Sequence, residues 1–277
     1  MNQDLPLLDQ MTEFAASRGV SLPVYSDVAQ QIQTAARADT YDVTEVERAI
    51  DSDPALAAEV LRAANSAFFG GLVRISSVRA ATMRLGFKQM TNLAFLATEK
   101  NRYSAKDPRL ALVMRDLWHH ASACALASEW LAKRLRFRDV TEEVFLGGLM
   151  HDIGKLYLVR VLDEMVAEGP SDEVASFDLF KEVIDQAHCD QGYRLLQSWN
   201  LPDVYLEIVR DHHGELKDAR NARLLIVRLA NHACNRAGIG LRTDPTIVLS
   251  ATAEAHALGL SEVAPVSYTH LPLPTKA

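Results

Sequence analysis

The residues with the clearest chemical potential are an adjacent histidine and aspartate near the middle of the chain. His151 and Asp152 lie in the segment LGGLMHDIGKLYL, in which glycines stand on both sides of the pair. An imidazole nitrogen and a neighbouring carboxylate oxygen can both ligate one divalent ion, or the carboxylate can bridge two. The glycines permit close packing of helices, and the ammonium group of Lys155 could meet a phosphate.

Further histidines lie on other predicted helices, each of which could face a common bundle interior. A single histidine of this kind is more often a core or surface residue bonded to a backbone carbonyl group, but the whole set favours a shared polar site. Asp116 lies four residues before His120, so both fall on one helical face. The candidate set is Asp116, His120, His151, Asp152, His188, His212 and His213.

The candidate set mixes imidazoles with carboxylates and contains no thiolate. Such donors suit iron, manganese or a similar divalent ion better than a structural zinc site. The cysteines, Cys124, Cys189 and Cys234, are odd in number and show no C-x-x-C spacing. They are interpreted as reduced thiols of a cytosolic protein, and neither a disulfide framework nor a zinc knuckle is predicted.

The elements that must position these residues are helices. The best-marked helix is predicted over residues 53–69, where Asp53 can act as the N-cap and Pro54 suits the first turn. Asn65 and Ser66 are interpreted as residues that end this helix rather than as ligand contacts. Its apolar residues recur at helical spacing at Leu56, Val60, Leu61, Ala64, Ala67 and Phe68.

Helical patterns continue through most of the chain, and no stretch shows strong strand alternation. The sequence therefore predicts an all-α protein. Gly86 separates two of the predicted helices. Besides the helix at 53–69, helices are predicted over about residues 44–50, 76–85, 88–98, 110–135, 142–167, 175–198, 201–213, 220–237 and 244–258.

A polar stretch, KNRYSAKDPR at residues 100–109, is the best internal boundary. We predict an N-terminal helical subdomain over residues 1–105 and a second helical subdomain over 106–260. Residues 261–277 are predicted to be a disordered tail. Because their end, VSYTHLPLPTKA, resembles translated cloning sequence, His270 is excluded from the candidate site.

Composition and charge exclude several classes of function. The 277 residues carry a net charge of −7, which opposes non-specific binding to nucleic acid. No apolar run approaches the roughly 20 residues that span a bilayer. The first ten residues, MNQDLPLLDQ, lack the features of an export signal. We expect a cytoplasmic protein that binds neither nucleic acid nor a membrane.

The motif HDIGK, with histidines before and after it, resembles the HD superfamily of helical metal-dependent phosphohydrolases. The segments SLPVYSDVAQQI, IDSDPALAAEVLRAANSAFFG, ISSVRAATMRLGFKQMTNL, LWHHASACALASEWLA and HCDQGYRLLQSWNLPDVYLEIVRDHH narrow the resemblance to the HDOD domain, over roughly residues 20–235. The resemblance implies a multi-helix bundle of the HD-domain type, with an N-terminal helical subdomain packed against it. It also implies a bacterial signalling role.

The resemblance assigns roles to the histidines. His120 matches the first family histidine, His151 and Asp152 match the HD pair, and Asp116 falls where related cyclic-di-GMP phosphodiesterases place a carboxylate ligand. The later family histidines are matched by His188, His212 and His213.

Two departures from the catalytic pattern weaken the case for hydrolysis. Asn231 stands where catalytic HD proteins have their closing aspartate, and its neutral carbonyl oxygen weakens the binding of a hard cation. The GYP signature expected after the double histidine is absent, and DHHGELKDARNARL stands there instead.

The preferred expectation is a regulatory signalling module, non-catalytic or weakly catalytic, that holds a divalent metal weakly and binds a partner protein or a nucleotide-like ligand. The alternative is a metal-dependent phosphohydrolase acting on a nucleotide or cyclic nucleotide. In that case metal held by the site, with Asn231 at its edge, would activate water, and Lys155 would stabilise charge on the phosphoryl group.

Overall fold

The computed structural model describes a helical protein, with no strand among the residues that it covers. These residues are 7–22, 43–66, 69, 73–168, 177–216 and 218–260. The predicted all-α fold is confirmed. Within this part of the chain, no helix is both long and apolar enough to cross a membrane. The predicted tail at 261–277, together with His270, lies outside the described residues.

The helices are numbered in chain order. They are α1 (Leu7–Arg18), α2 (Val43–Asp51), α3 (Pro54–Ala64), α4 (Val78–Leu85), α5 (Phe87–Glu99), α6 (Pro108–Arg134), α7 (Thr141–Met150), α8 (Ile153–Glu168), α9 (Phe177–Ser198), α10 (Asp203–Asp211), α11 (Ala222–Arg236) and α12 (Ala253–Ala257). Short 3-10 turns lie at Lys100–Arg102, Arg138–Val140 and Leu249–Ala251.

The helices fall into two compact units. One unit contains α2 to α5, and the other contains α1 together with α6 to α12. In the second unit α1 packs against α8 and α9, while α6 is central and contacts α7, α8 and α11. The subdomain boundaries drawn from the sequence at 105 and 260 stay predictions.

Helix α3 begins where the sequence predicts and ends earlier. The Asp53 carboxylate accepts from the backbone N–H groups of Ala55 at 2.9 Å and Leu56 at 3.1 Å, as an N-cap. Asn65 ends the helix, because its side chain bonds to both backbone groups of Ile75 at 2.8 Å. The predicted capping role of Asn65 is confirmed, and Leu61 is only partly buried.

The segment predicted as one helix over 142–167 is two helices. His151 and Asp152 lie in the turn between α7 and α8, not within a helix. The backbone of α8 lies directly against α9, since a Cβ atom at Gly154 would lie 1.9 Å from the His188 carbonyl oxygen. The expected role of the glycines in close helix packing is confirmed here.

The helix predicted over 244–258 is also shorter. The chain forms a 3-10 turn at Leu249–Ala251, and α12 covers only Ala253–Ala257. Thr252 caps α12 by accepting from the N–H of Ala255 at 3.2 Å. Before it, Asp244 bonds both the N–H and the hydroxyl of Thr246, which favours a turn over a continued helix.

Candidate metal centre

Six of the predicted site residues meet inside the second unit. They come from α6, the turn between α7 and α8, α9, and the segment that follows α10. All but His213, which is half-buried, are almost fully buried. Their roles as ligands stay predictions. The residues are His120, His151, Asp152, His188, His212 and His213.

Backbone carbonyl groups fix the orientation of four of these imidazoles. In each, Nδ1 lies at hydrogen-bond distance from a carbonyl oxygen, so that Nδ1 carries a proton and Nε2 of the neutral imidazole keeps its lone pair. This second bond is the usual support of a metal-ligating histidine. The bonds join His120 to Ile239 at 2.8 Å, His151 to Gly148 at 2.8 Å, His188 to Ile184 at 2.8 Å and His212 to Val209 at 2.9 Å.

The four Nε2 atoms surround the carboxylate of Asp152. Oδ2 lies 3.5 Å from Nε2 of His120 and 3.4 Å from that of His151. Oδ1 lies 3.5 Å from Nε2 of His188 and 3.3 Å from that of His212. Oδ1 is buried and accepts no hydrogen bond from the described residues. Beside neutral imidazoles alone this buried oxygen would lack a positive partner, which is costly, and either a divalent cation or a proton on one imidazole would satisfy it.

The separations between donor atoms suit coordination of an ion. Nε2 of His120 lies 3.2 Å from that of His151, and Nε2 of His188 lies 3.3 Å from that of His212. Two ligands about 2.1 Å from one ion, at angles of roughly 90–110°, are about 3.0–3.4 Å apart. The residues therefore fit a divalent cation.

Without such a cation, a proton on His212 supplies the positive charge. Burial lowers the pKa of His212, but its polar contacts with Asp152 and Cys189 raise it to about 9. For His151 burial dominates and holds the pKa well below its usual value. Burial and the positive charge of His212 lower the pKa of His213 to about 3. A bound cation must displace the His212 proton.

Lys155 lies beside the carboxylate. Its Nζ donates to Oδ2 of Asp152 at 2.9 Å. Burial raises the pKa of Asp152, but the charge of Lys155 and the contacts with the neighbouring imidazoles outweigh it and hold that pKa well below its usual range. The ammonium group lies at the Oδ2 side of the cluster, whereas Oδ1 faces Nε2 of His188 and of His212.

Two predicted residues have other contacts: Asp116 lies outside the groups of close donor atoms, and Asn231 pairs with a residue of its own helix. The carboxylate of Asp116 is half-buried, and it contacts Nη2 of Arg115 at 3.3 Å. Asn231 is buried on α11, where its Oδ1 accepts from Nδ2 of Asn235 at 3.0 Å. Among the described residues, no hydrogen bond links Asn231 to a histidine of the cluster.

Arg228 is a positioning residue that the sequence did not reveal. From α11 its guanidinium donates to the carbonyl oxygens of Asp211 at 2.9 Å, His213 at 3.3 Å and Gly214 at 2.8 Å. Nε also donates to the buried carboxylate of Glu254 at 2.6 Å. The positively charged guanidinium is favourable at the C-terminus of α10. There it holds in place the segment that carries the double histidine.

A comparison with protein families identifies the domain. The family model of the HDOD domain matches residues 22–215. The chain belongs to the HDOD family.

The relatives share the fold. An HDOD domain protein of unknown function from Geobacter sulfurreducens is 20% identical with a TM-score of 0.67, over 92% of this chain and 89% of that one. A proposed metal-dependent phosphohydrolase from Shewanella amazonensis SB2B is 18% identical with a TM-score of 0.63, over 95% and 100%.

The match to a curated relative is partial in length. An uncharacterized protein of Treponema pallidum (strain Nichols) is 25% identical over 220 residues, which are 76% of this chain. The chain spans 42% of the length of that relative.

Proposed function

We propose that this chain is a cytoplasmic regulatory module in bacterial signalling, in which a buried divalent cation stabilises the conformation that binds a partner protein or a nucleotide-like ligand. Hydrolysis by this module is slow or absent. The observation that carries the proposal is the convergence of four imidazole Nε2 atoms on a single buried carboxylate, that of Asp152.

The number of carboxylates favours regulation over catalysis. Asp152 is the only carboxylate in the described cluster, and it is shared with the ammonium group of Lys155. The neutral Asn231 adds no charge, so a hard cation is held weakly. Iron and manganese suit the imidazole and carboxylate donors.

The burial of the cluster supports the same conclusion. His151 is 0% exposed and Asp152 is 6% exposed, so water and a nucleotide phosphate have little direct access to the carboxylate. A hydrolase needs room for both at the reacting phosphorus. A cation at this depth instead links α6, the turn before α8, α9 and the end of α10, and thereby stabilises the module.

A metal-dependent phosphohydrolase is the second candidate, and one feature favours it. The two oxygens of Asp152 face different histidine pairs, as in a carboxylate that bridges two ions. When bound, such ions would supply a Lewis acid and an activated water. Lys155 would then be available to neutralise an incoming phosphate.

Turnover on a panel of phosphodiesters separates the two candidates. The protein, loaded with Mn²⁺ or Fe²⁺, is assayed against an aryl phosphodiester and several cyclic nucleotides and dinucleotides. We expect no turnover above that of a His151→Ala variant. Robust hydrolysis by the wild type that His151→Ala or Asp152→Ala abolishes would overturn the regulatory proposal.

A further inference from the structure

We propose that Cys124, Cys234 and His120 form a second metal site, for a thiophilic ion such as Zn²⁺ or Cd²⁺. Their donor atoms all lie within 4.8 Å of one another. The inference goes beyond the proposed function and does not require it, since it concerns sulfur ligands that the histidine and aspartate cluster does not use.

The separation of sulfur and nitrogen agrees with tetrahedral coordination. Sγ of Cys124 lies 3.6 Å from Nε2 of His120. Bonds of about 2.3 Å to sulfur and about 2.05 Å to nitrogen, at a tetrahedral angle, place these two atoms about 3.6 Å apart. Sγ of Cys234 lies within 4.8 Å of both atoms, so small shifts of this third donor complete a Cys₂His set.

The fold holds the three side chains in place. His120 and Cys124 lie one turn apart on α6, and Cys234 faces them from α11. Both cysteines are 0% exposed. The loop after α11 covers the imidazole, because a Cβ atom at Gly240 would lie 2.8 Å from Cβ of His120. Together with the bond from His120 Nδ1 to the Ile239 carbonyl oxygen, this contact limits rotation of the ring.

The apolar surroundings select for a soft ion. Cys124 and Cys234 pack in one apolar cluster with Ala123 and Ile239. Binding forms two metal–thiolate bonds and releases two thiol protons. Only an ion with a strong preference for sulfur gains enough from these bonds, whereas Mn²⁺ favours the carboxylate and imidazoles.

His120 belongs to both groups of donors. Its Nε2 has one lone pair, which faces either Cys124 at 3.6 Å or the side of Asp152 at 3.5 Å. One ion at a time can therefore use His120. A thiophilic ion would withdraw this ligand from the histidine and aspartate cluster.

Cadmium titration of an untagged, full-length Cys189→Ser variant tests the site. This background removes the third thiol, which lies 3.4 Å from Nε2 of His188 and would bind cadmium on its own. We expect ultraviolet sulfur-to-cadmium charge-transfer absorption that saturates at about one ion per chain, with release of two protons. Absence of the absorption while a thiol reagent finds both thiols reduced would overturn the proposal.

Single replacements in this background identify the ligands. Cys124→Ser and Cys234→Ser should each halve the charge-transfer intensity and lower the cadmium affinity. His120→Ala should leave the intensity and lower the affinity by at least the ~10–100-fold that loss of a group bonded to a ligand costs. Unchanged intensity in either cysteine variant, or unchanged affinity in the histidine variant, would contradict the assigned ligands.

Two further measurements keep the result interpretable. Circular dichroism melts show whether each variant folds, and Cys→Ala replacements substitute for a Cys→Ser variant that does not. Manganese binding by the same proteins reports on the Asp152 cluster. If the Cys189→Ser protein binds manganese but shows no cadmium signal, only the sulfur site is refuted. If it shows the cadmium signal but binds no manganese, only the proposed function is refuted.

Discussion

Replacement of Gly154 by alanine tests whether the contact between α8 and α9 sets the geometry of the site. The new Cβ would lie 1.9 Å from the His188 carbonyl oxygen and 2.8 Å from the backbone nitrogen of Gly192. Both obstructing atoms belong to the backbone and cannot rotate away, so the helices must separate by roughly 1 Å or more.

The separation should weaken both folding and metal binding. Overpacking of this kind costs about 1–3 kcal/mol, and a rigid obstacle places Gly154→Ala at the upper end. The higher helix propensity of alanine would by itself raise the free energy of unfolding, by up to about 1 kcal/mol. The separation moves His188 away from Asp152. The distance between Nε2 of His188 and Oδ1 of Asp152, which is now 3.5 Å, would then be too long for both atoms to bind one ion. Manganese affinity should therefore fall by about tenfold or more.

Gly147→Ala is the matched control. Its Cβ would meet Cδ1 of Ile208 at 2.6 Å, and that atom is the end of a flexible side chain that can rotate. Urea unfolding and calorimetric Mn²⁺ titration compare the two variants. We expect Gly147→Ala to lower the free energy of unfolding by less than about 1 kcal/mol and to leave the Mn²⁺ affinity unchanged. Gly154→Ala with wild-type stability and affinity would refute the role of this contact.

Three further predictions concern charge around the site. Asn231→Asp keeps an oxygen that accepts the bond from Asn235 and adds a negative charge, so calorimetry should show tighter Mn²⁺ binding. An unchanged affinity would mean that this side chain does not reach the ion. Arg228→Met takes the guanidinium from the buried Glu254 and from three carbonyl oxygens, and should lower the free energy of unfolding in urea by about 3 kcal/mol; a loss under about 1 kcal/mol contradicts the positioning role. Burial raises the pKa of Glu254, but bonds from His232 and Arg228 lower it from 4.5 to about 2. This contribution to stability is complete above pH 4.5 and is lost as the pH falls towards 2, so Glu254→Gln should flatten the stability–pH curve in that window.

The sequence reveals the parts of the fold that depend on local signals. Asp53 and Pro54 mark the start of α3, and Gly86, with φ of +82°, separates α4 from α5 as predicted. The histidines stand out because polar residues on otherwise apolar helices need a partner. The family resemblance then links His120 and His188, which belong to different helices, to one site.

The remaining features depend on contacts between distant residues. The bond from His120 to Ile239 spans 119 positions, and the Arg228 contacts span 14 to 26. Helical spacing places Asp116 near His120, yet its carboxylate pairs with the adjacent Arg115 and is not among the donor atoms that lie close together. No C-x-x-C spacing marks Cys124 and Cys234, because the packing of α6 against α11 brings them together.

Metal content tests the central claim most directly. The protein is purified without a polyhistidine tag and dialysed to equilibrium against buffered Mn²⁺ or Fe²⁺, and its metal content above that of the surrounding buffer is compared with that of an Asp152→Asn variant. That replacement keeps the side-chain shape and removes the one carboxylate on which four imidazoles converge. We predict metal retained by the wild type, at up to about one ion per chain, and lost from the variant. No metal in the wild type, or equal metal in both proteins, would contradict the proposed metal centre.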